Sequence, residues 1–194
     1  KDFSRTSLSN WDAYFYYNAI DPTYIVTPEG KHYLIHGSWH SGFALLEVDA
    51  NTGKPVNKLG EPYADSADNL ITRYGMRIGT RTAASRWQGS EAPEIIYKDG
   101  FYYLFLAYDG LDVPYNTRVV RSEKIEGPYL DITGRNFTNG RGDTYPIVTH
   151  PYKFNLSSGW VGISHCAVFK KENSNEWFYM SQGRLPANVG GNAS

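Results

Sequence analysis

Glu91-Ala92-Pro93-Glu94-Ile95-Ile96-Tyr97, Lys98-Asp99-Gly100, then Phe101-Tyr102-Tyr103-Leu104-Phe105-Leu106 is the stretch that decides the fold class. It reads as a strand, a tight turn and an aromatic-rich strand, with Asp99-Gly100 a strong hairpin signal. Two other stretches have the same form. Ile20-Asp21-Pro22-Thr23-Tyr24-Ile25-Val26 runs through Glu29-Gly30 into His32-Tyr33-Leu34-Ile35-His36. His165-Cys166-Ala167-Val168-Phe169 runs through Asn173-Ser174-Asn175 into Trp177-Phe178-Tyr179-Met180-Ser181. Further apolar strands follow the first two hairpins, at Gly42–Asp49 and Asn116–Ser122. Three or four short strands per repeat fit the blades of a β-propeller, with blade-like units near 18–60, 88–133 and 160–194. The period of about 70 residues exceeds that of compact propeller repeats and leaves room for long loops. A stacked sandwich is the alternative, but sandwiches rarely repeat a motif this long.

Composition narrows the function classes. The 194 residues carry 19 Lys+Arg against 20 Asp+Glu, a net charge of −1 that gives no field to recruit nucleic acid or an anionic membrane. With 41 % hydrophobic and 20 % charged residues, a disordered chain is excluded. No apolar run approaches the roughly 20 residues of a bilayer-spanning helix. One cysteine, Cys166, excludes an intrachain disulfide framework. Aromatic residues reach 15 %, with sixteen Tyr and five Trp, and such flat rings suit the apolar faces of sugars.

The repeat also aligns chemistry. Asp21, Glu91 and His165 open the first strand of their respective units, and innermost strands of a propeller surround one axis. Two carboxylates across a sugar-sized gap are the parts of a glycosidase: one donates a proton to the leaving oxygen, the other activates water or attacks the sugar. Taken singly, Asp21 reads as a turn residue before Pro22 and Glu91 as a solvated loop acid; the shared position favours function. His165 reads either as a hydrogen-bonded core histidine or as an axial imidazole facing a hydrated hard cation such as calcium. Arg81, Trp39 and Trp87 are candidate substrate-binding residues: Arg81 as a partner for substrate or for a carboxylate beside Glu91, with a solvated loop residue as its competing reading, and the two tryptophans as floors of sugar subsites. Packing is the competing reading of both tryptophans. Asp109, Asp112, Asp131 and Asp143 lie in Gly- or Pro-containing turns and read as solvated. Cys166 reads as a small buried hydrophobe. No Gly-x-Gly-x-x-Gly turn, P-loop or Gly-x-Ser-x-Gly elbow is present, so nucleotide and serine-hydrolase readings lack support.

Together these residues resemble glycoside hydrolase family 43, particularly its α-1,5-L-arabinanases. The resemblance rests on Asn18-Ala19-Ile20-Asp21-Pro22, Gly37-Ser38 before Gly42, and Glu91-Ala92-Pro93 followed by Tyr102-Tyr103-Leu104-Phe105. It continues through Arg121-Ser122 with Gly127-Pro128-Tyr129, Gly162-Ile163-Ser164-His165 and Ser181-Gln182-Gly183-Arg184. It implies an all-β, five-bladed propeller and an inverting hydrolase of α-1,5-linked arabinan, with endo action favoured. Glu91 matches the general acid, Asp21 the aspartate that orients the acid and tunes it, and His165 the axial histidine associated with calcium and its waters. Inversion requires roughly 6.5–9.5 Å between acid and base, to admit the attacking water. Glu94 departs from the pattern, standing where an aromatic or aliphatic residue is usual. A polysaccharide substrate implies secretion or a periplasmic location.

The general base is not matched in this chain. In the family it is an aspartate of the first blade, far upstream of the middle aspartate, and neither Asp2 nor Asp12 has that strand-start setting. The chain therefore resembles about three middle blades, and a complementary polypeptide carrying the missing blades is the expected partner. Two other readings remain open: a non-catalytic carbohydrate-binding propeller module, and a β-xylosidase or arabinofuranosidase of the same family.

Overall fold

The computed structural model describes residues 17–56, 71–72, 75–81, 88–140, 143–145, 148–155 and 159–189. Among them are ten strands, and the one helical element is a 3₁₀ turn at Pro186–Asn188. The strands are β1 Thr23–Val26, β2 His32–His36, β3 Phe43–Val48, β4 Ile71–Thr72, β5 Gly75–Gly79, β6 Ser90–Lys98, β7 Phe101–Tyr108, β8 Asn116–Ser122, β9 Val161–Lys170 and β10 Trp177–Arg184. They form three sheets, ordered β1-β2-β3-β5-β4, β6-β7-β8 and β9-β10, and every pairing is antiparallel. The fold is all-β, as the repeated hairpins require.

Local chemistry accounts for the strands. In β7 the even-numbered residues Tyr102, Leu104 and Leu106 are buried while Phe101, Tyr103 and Phe105 are half-exposed, the period of two of a strand with one face on a core. Lys98 pairs with Phe101 across a two-residue turn. Asp99 and Gly100 both take positive φ there, 51° and 86°, as a turn matched to strand twist demands. The main core lies between the first two sheets, where Ile25, Ile35, Phe43 and Ile78 meet Ile95, Leu104, Val120 and Phe137. Its tightness shows at Gly79, where a Cβ would come within 2.1 Å of the Phe137 ring.

The second sheet runs from Ser90 to Ser122 and the third from Val161 to Arg184. The first sheet extends beyond residue 60, because β5 returns to pair with β3 and β4 pairs in turn with β5. Short strands built on Gly75 and Gly79 carry too little apolar alternation to announce themselves.

The first strands of the three sheets lie side by side. Thr23 Oγ1 of β1 donates to Glu94 Oε2 of β6 at 2.8 Å, and the Val168 amide of β9 donates to Glu94 Oε1 at 3.0 Å. Glu94 thus uses one oxygen for each neighbouring sheet. This explains a carboxylate at a position where the resemblance led to an apolar residue: both oxygens of the half-buried side chain are satisfied.

Candidate functional site

The site gathers at the end of the sheets where β1, β6 and β9 begin. Asp21 lies just before β1, and its Oδ2 accepts the Ala92 amide at 3.1 Å. Glu91 is the second residue of β6, so the two acids, far apart in sequence, lie at the starts of neighbouring strands. The Ile20 carbonyl accepts the Gly37 amide at 3.1 Å, which draws the loop after β2 to the same place.

Glu91 is held by three donors. Ser38 Oγ and Trp39 Nε1 donate to Oε2 at 3.2 and 2.9 Å, and the Tyr115 hydroxyl donates to Oε1 at 2.5 Å. Charge-assisted bonds of this kind are roughly twice as strong as neutral ones and fix a carboxylate's orientation. Tyr115 is fully buried and packs with Ala92 and Ala107. Burial, then the hydrogen bond and charge of Glu91 and the charge of Asp21, push its phenol above the usual tyrosine range, so it stays a proton donor. The guanidinium of Arg184, at the end of β10, acts on the same phenol in the opposite sense and donates to the Leu111 carbonyl.

Several expected roles change. Asp21, Glu91 and His165 do not occupy one equivalent position: the residues with matching left-handed backbone are Asp21, Ala92 and His165, with φ of 54°, 49° and 54°. Glu91 stands one residue earlier, beside a register shift between Glu91 and Glu94. Asp21-Pro22 aligns with Ala92-Pro93, a signal present in the sequence. Trp39 is no loop-tip platform. It is half-buried, and its indole N–H serves Glu91. Its backbone, at φ 60°, bonds the Ser90 carbonyl and the Gln88 amide. Left-handed backbone is uncommon for so bulky a residue and persists where surrounding structure over-determines it.

Arg81 holds two carboxylates other than that of Glu91. Its Nε donates to Asp143 Oδ1 and its Nη1 to Asp109 Oδ1 and the Gly89 carbonyl, each at 2.7 Å. The guanidinium also covers the Tyr108 ring at 4.5 Å. Asp109 in turn accepts from Asn116 Nδ2 at 3.2 Å, so this pair joins the start of β6, which carries Glu91, to the loop that carries Tyr115. Asp109, Asp131 and Asp143 are therefore not merely solvated. Asp131 accepts the amides of Thr133, Arg135 and Tyr145 and orders the chain after β8. Trp87 lies outside the described residues. Cys166 is buried, and burial followed by the charge of Glu94 pushes its thiol up to about 12.

His165 is exposed at the middle of β9, the fifth of its ten residues, and does not open the strand. Among the described residues no group of three or more His, Cys, Asp or Glu side chains converges to hold a metal ion. An imidazole alone is a poor ligand for a hard cation, so His165 suits calcium only through the ion's own waters.

Comparison with known proteins identifies the family. Residues 6–192 match the model of glycosyl hydrolases family 43. The chain belongs to this family. It is 30 % identical over 186 residues to the extracellular endo-α-(1→5)-L-arabinanase of Thermotoga petrophila, an alignment covering 87 % of this chain and 36 % of the relative. It is 29 % identical to extracellular endo-α-(1→5)-L-arabinanase 2 of Bacillus subtilis, covering 91 % and 34 %. Among solved structures, the Thermotoga petrophila endo-1,5-α-L-arabinanase superposes with a TM-score of 0.74 at 26 % identity, covering 90 % of this chain and 39 % of that one. An exo-1,5-α-L-arabinanase from a bovine ruminal metagenomic library gives 0.64 at 30 % identity, covering 90 % and 50 %. The family-43 chain thus spans about a third of the length of these curated relatives. No helix among its described residues is long and apolar enough to cross a membrane.

Proposed function

We propose that this family-43 chain supplies the acid side of a site that hydrolyses α-1,5-linked L-arabinan with inversion, with endo action favoured. The observation that carries the reading is the held carboxylate: Glu91, beside Asp21, bound by Ser38, Trp39 and Tyr115. An indole N–H can only donate, whereas hydroxyls can turn to donate or accept. Trp39 therefore fixes Oε2 as an acceptor and leaves Oε1 to carry the transferable proton. Glu91 delivers that proton to the departing arabinosyl oxygen, and Asp21 orients it through the Ala92 amide. A water on the opposite face of the sugar attacks the anomeric carbon, activated by an aspartate from a further blade. Calcium belongs to this reading in one form, a hydrated ion whose waters His165 holds, with no step of hydrolysis routed through it. Arabinan as substrate and a location outside the cell follow from the names of the relatives.

The three sheets form part of a five-bladed ring in the same proposal. Cross-strand pairing places Tyr24, Leu34 and Leu46 on one face of the first sheet, and Tyr24 is 52 % exposed. On the third sheet Phe169 stacks on Phe178 at 5.7 Å, and Met180, paired with Ala167, is 60 % exposed. Apolar faces of this kind are costly in water, and further blades carried by a complementary polypeptide cover them.

The test is Glu91→Gln in the assembled protein, assayed on linear arabinan, branched arabinan and an aryl xyloside. Loss of the proton donor should lower turnover of linear arabinan by roughly 10²–10⁴-fold with folding intact. Wild-type turnover of that unactivated polymer would remove Glu91 from the role. Wild-type cleavage of the xyloside alone would transfer the reading to a β-xylosidase, and binding without turnover to a sugar-binding module.

A further inference from the structure

The segment between β8 and β9 carries three aromatic side chains that the acid site does not use. His150, Tyr152 and Phe154 pack on one another, with ring centroids 5.1 Å apart for His150–Tyr152, 6.1 Å for His150–Phe154 and 5.2 Å for Tyr152–Phe154. The cluster is not a core. Tyr152 is 46 % and Phe154 73 % exposed, so its outer rings face water. Apolar rings left in solvent without a backbone need for them call for an occupant.

Position and rigidity narrow what that occupant is. The base of the segment is pinned to the start of β8: Val148 donates its amide to the Thr117 carbonyl at 2.7 Å, and the Thr117 amide donates to Thr149 Oγ1 at 2.8 Å. Thr149 Oγ1 donates onward to the Ile163 carbonyl in β9 at 2.6 Å. Lys153 Nζ reaches the Val189 carbonyl at 3.4 Å, fastening the crest to the segment after β10. Thr117 is two residues from Tyr115, which holds Glu91. The aromatic crest is therefore pinned at the end of the sheets that carries the two acids, between the second and third sheets. A platform of stacked and edge-on rings with polar tips at His150 and Tyr152 fits a neutral ligand having flat C–H faces and hydroxyls.

We propose that His150, Tyr152 and Phe154 form a glycan-binding platform that grips an arabinan chain beyond the sugar units at Glu91. The substrate class rests on the function proposed above; the platform itself rests on the exposed, anchored rings. It makes the site prefer long chains, because only a chain reaching the crest gains these contacts.

The experiment is affinity electrophoresis of the protein and its Tyr152→Ala and Phe154→Ala variants in gels containing linear α-1,5-arabinan, with Glu91→Gln as the control for the acid site. Titration with arabinotriose and arabinohexaose accompanies it. Both exposed positions tolerate truncation, and circular dichroism of each variant verifies folding. Each truncation should weaken binding of arabinan and arabinohexaose by roughly two- to tenfold while leaving arabinotriose unchanged. Glu91→Gln should stay retarded in the gel while losing turnover. Retardation of both aromatic variants equal to wild type overturns the platform, as does equal weakening toward arabinotriose and arabinohexaose. Wild-type protein that is not retarded by arabinan overturns the ligand class assigned to the crest. Failure of the acid reading shows separately, as turnover that survives Glu91→Gln.

Discussion

Tyr115→Phe isolates one bond of the acid site. The ring is fully buried between Ala92 and Ala107, so phenylalanine keeps the packing and deletes a single oxygen. That oxygen donates to Glu91 Oε1 at 2.5 Å. In the proposed mechanism Glu91 becomes a carboxylate as it gives up its proton, and the donor is worth most at that moment. Hydrogen bonds to charged groups contribute about 1.5–3 kcal/mol, and 1.4 kcal/mol is a factor of ten, so kcat on linear arabinan should fall by roughly 10- to 150-fold. An aryl arabino-oligosaccharide, whose leaving group needs little protonation, should lose much less. The split between the two substrates is the measurement, read beside a urea unfolding curve of each protein. Equal losses on both substrates, or no loss on either, would refute the assignment of Tyr115 to the proton-donating carboxylate.

Two further outcomes follow from other parts of the molecule. Burial pushes the Asp143 carboxyl up, but the hydrogen bond and charge of Arg81, with the charges of Arg118 and Arg135, hold it below the usual range. A lowered folded value means the stabilisation is complete above the ordinary aspartate range and is lost as pH falls through the lowered one. Urea midpoints of wild type and Asp143→Asn should therefore differ at pH 7 and draw together below about pH 4; a gap that persists in acid contradicts the pairing. The apolar faces at Tyr24 and at Phe169, Phe178 and Met180 should make the purified chain self-associate or co-purify with the polypeptide that covers them. A stable monomer with cooperative unfolding in size-exclusion chromatography and calorimetry counts against the shared ring.

The hairpins were legible because their cues are local. Asp99-Gly100 fixes a turn, alternation in Phe101–Tyr108 fixes a buried face, and the alternation recurs in β9. The approach of Asp21 to the strand of Glu91 followed from repetition, since Asp21-Pro22 aligns with Ala92-Pro93 and the Asp21 carboxylate takes the Ala92 amide. What stayed hidden depends on partners far away in the chain. Nothing around Tyr115 marks it as a donor to Glu91, 24 residues earlier, and Arg81 finds Asp109 and Asp143 at separations of 28 and 62 residues. The sequence of Trp39 records an aromatic residue but not the direction of its indole N–H, which depends on a backbone turn at positive φ.

That backbone turn belongs to a wider arrangement. Asp21, Ala92 and His165 each adopt a left-handed conformation at the same point of their sheets, and none is glycine. Such a conformation costs about 1–2 kcal/mol per residue, so three repeats holding it require compensation. Part is visible: the Asp21 carboxylate takes the Ala92 amide, and Glu94 ties both neighbouring first strands. In a regular strand, adjacent residues point to opposite sides. The kink at Ala92, with the register shift between Glu91 and Glu94, frees the Glu91 carboxylate to turn toward Ser38, Trp39 and Tyr115. The one-residue offset between Glu91 and Asp21 is thus what separates their tasks. Asp21 occupies the strained position and braces the strand; Glu91, just before that position, presents its carboxylate to the donors that hold it.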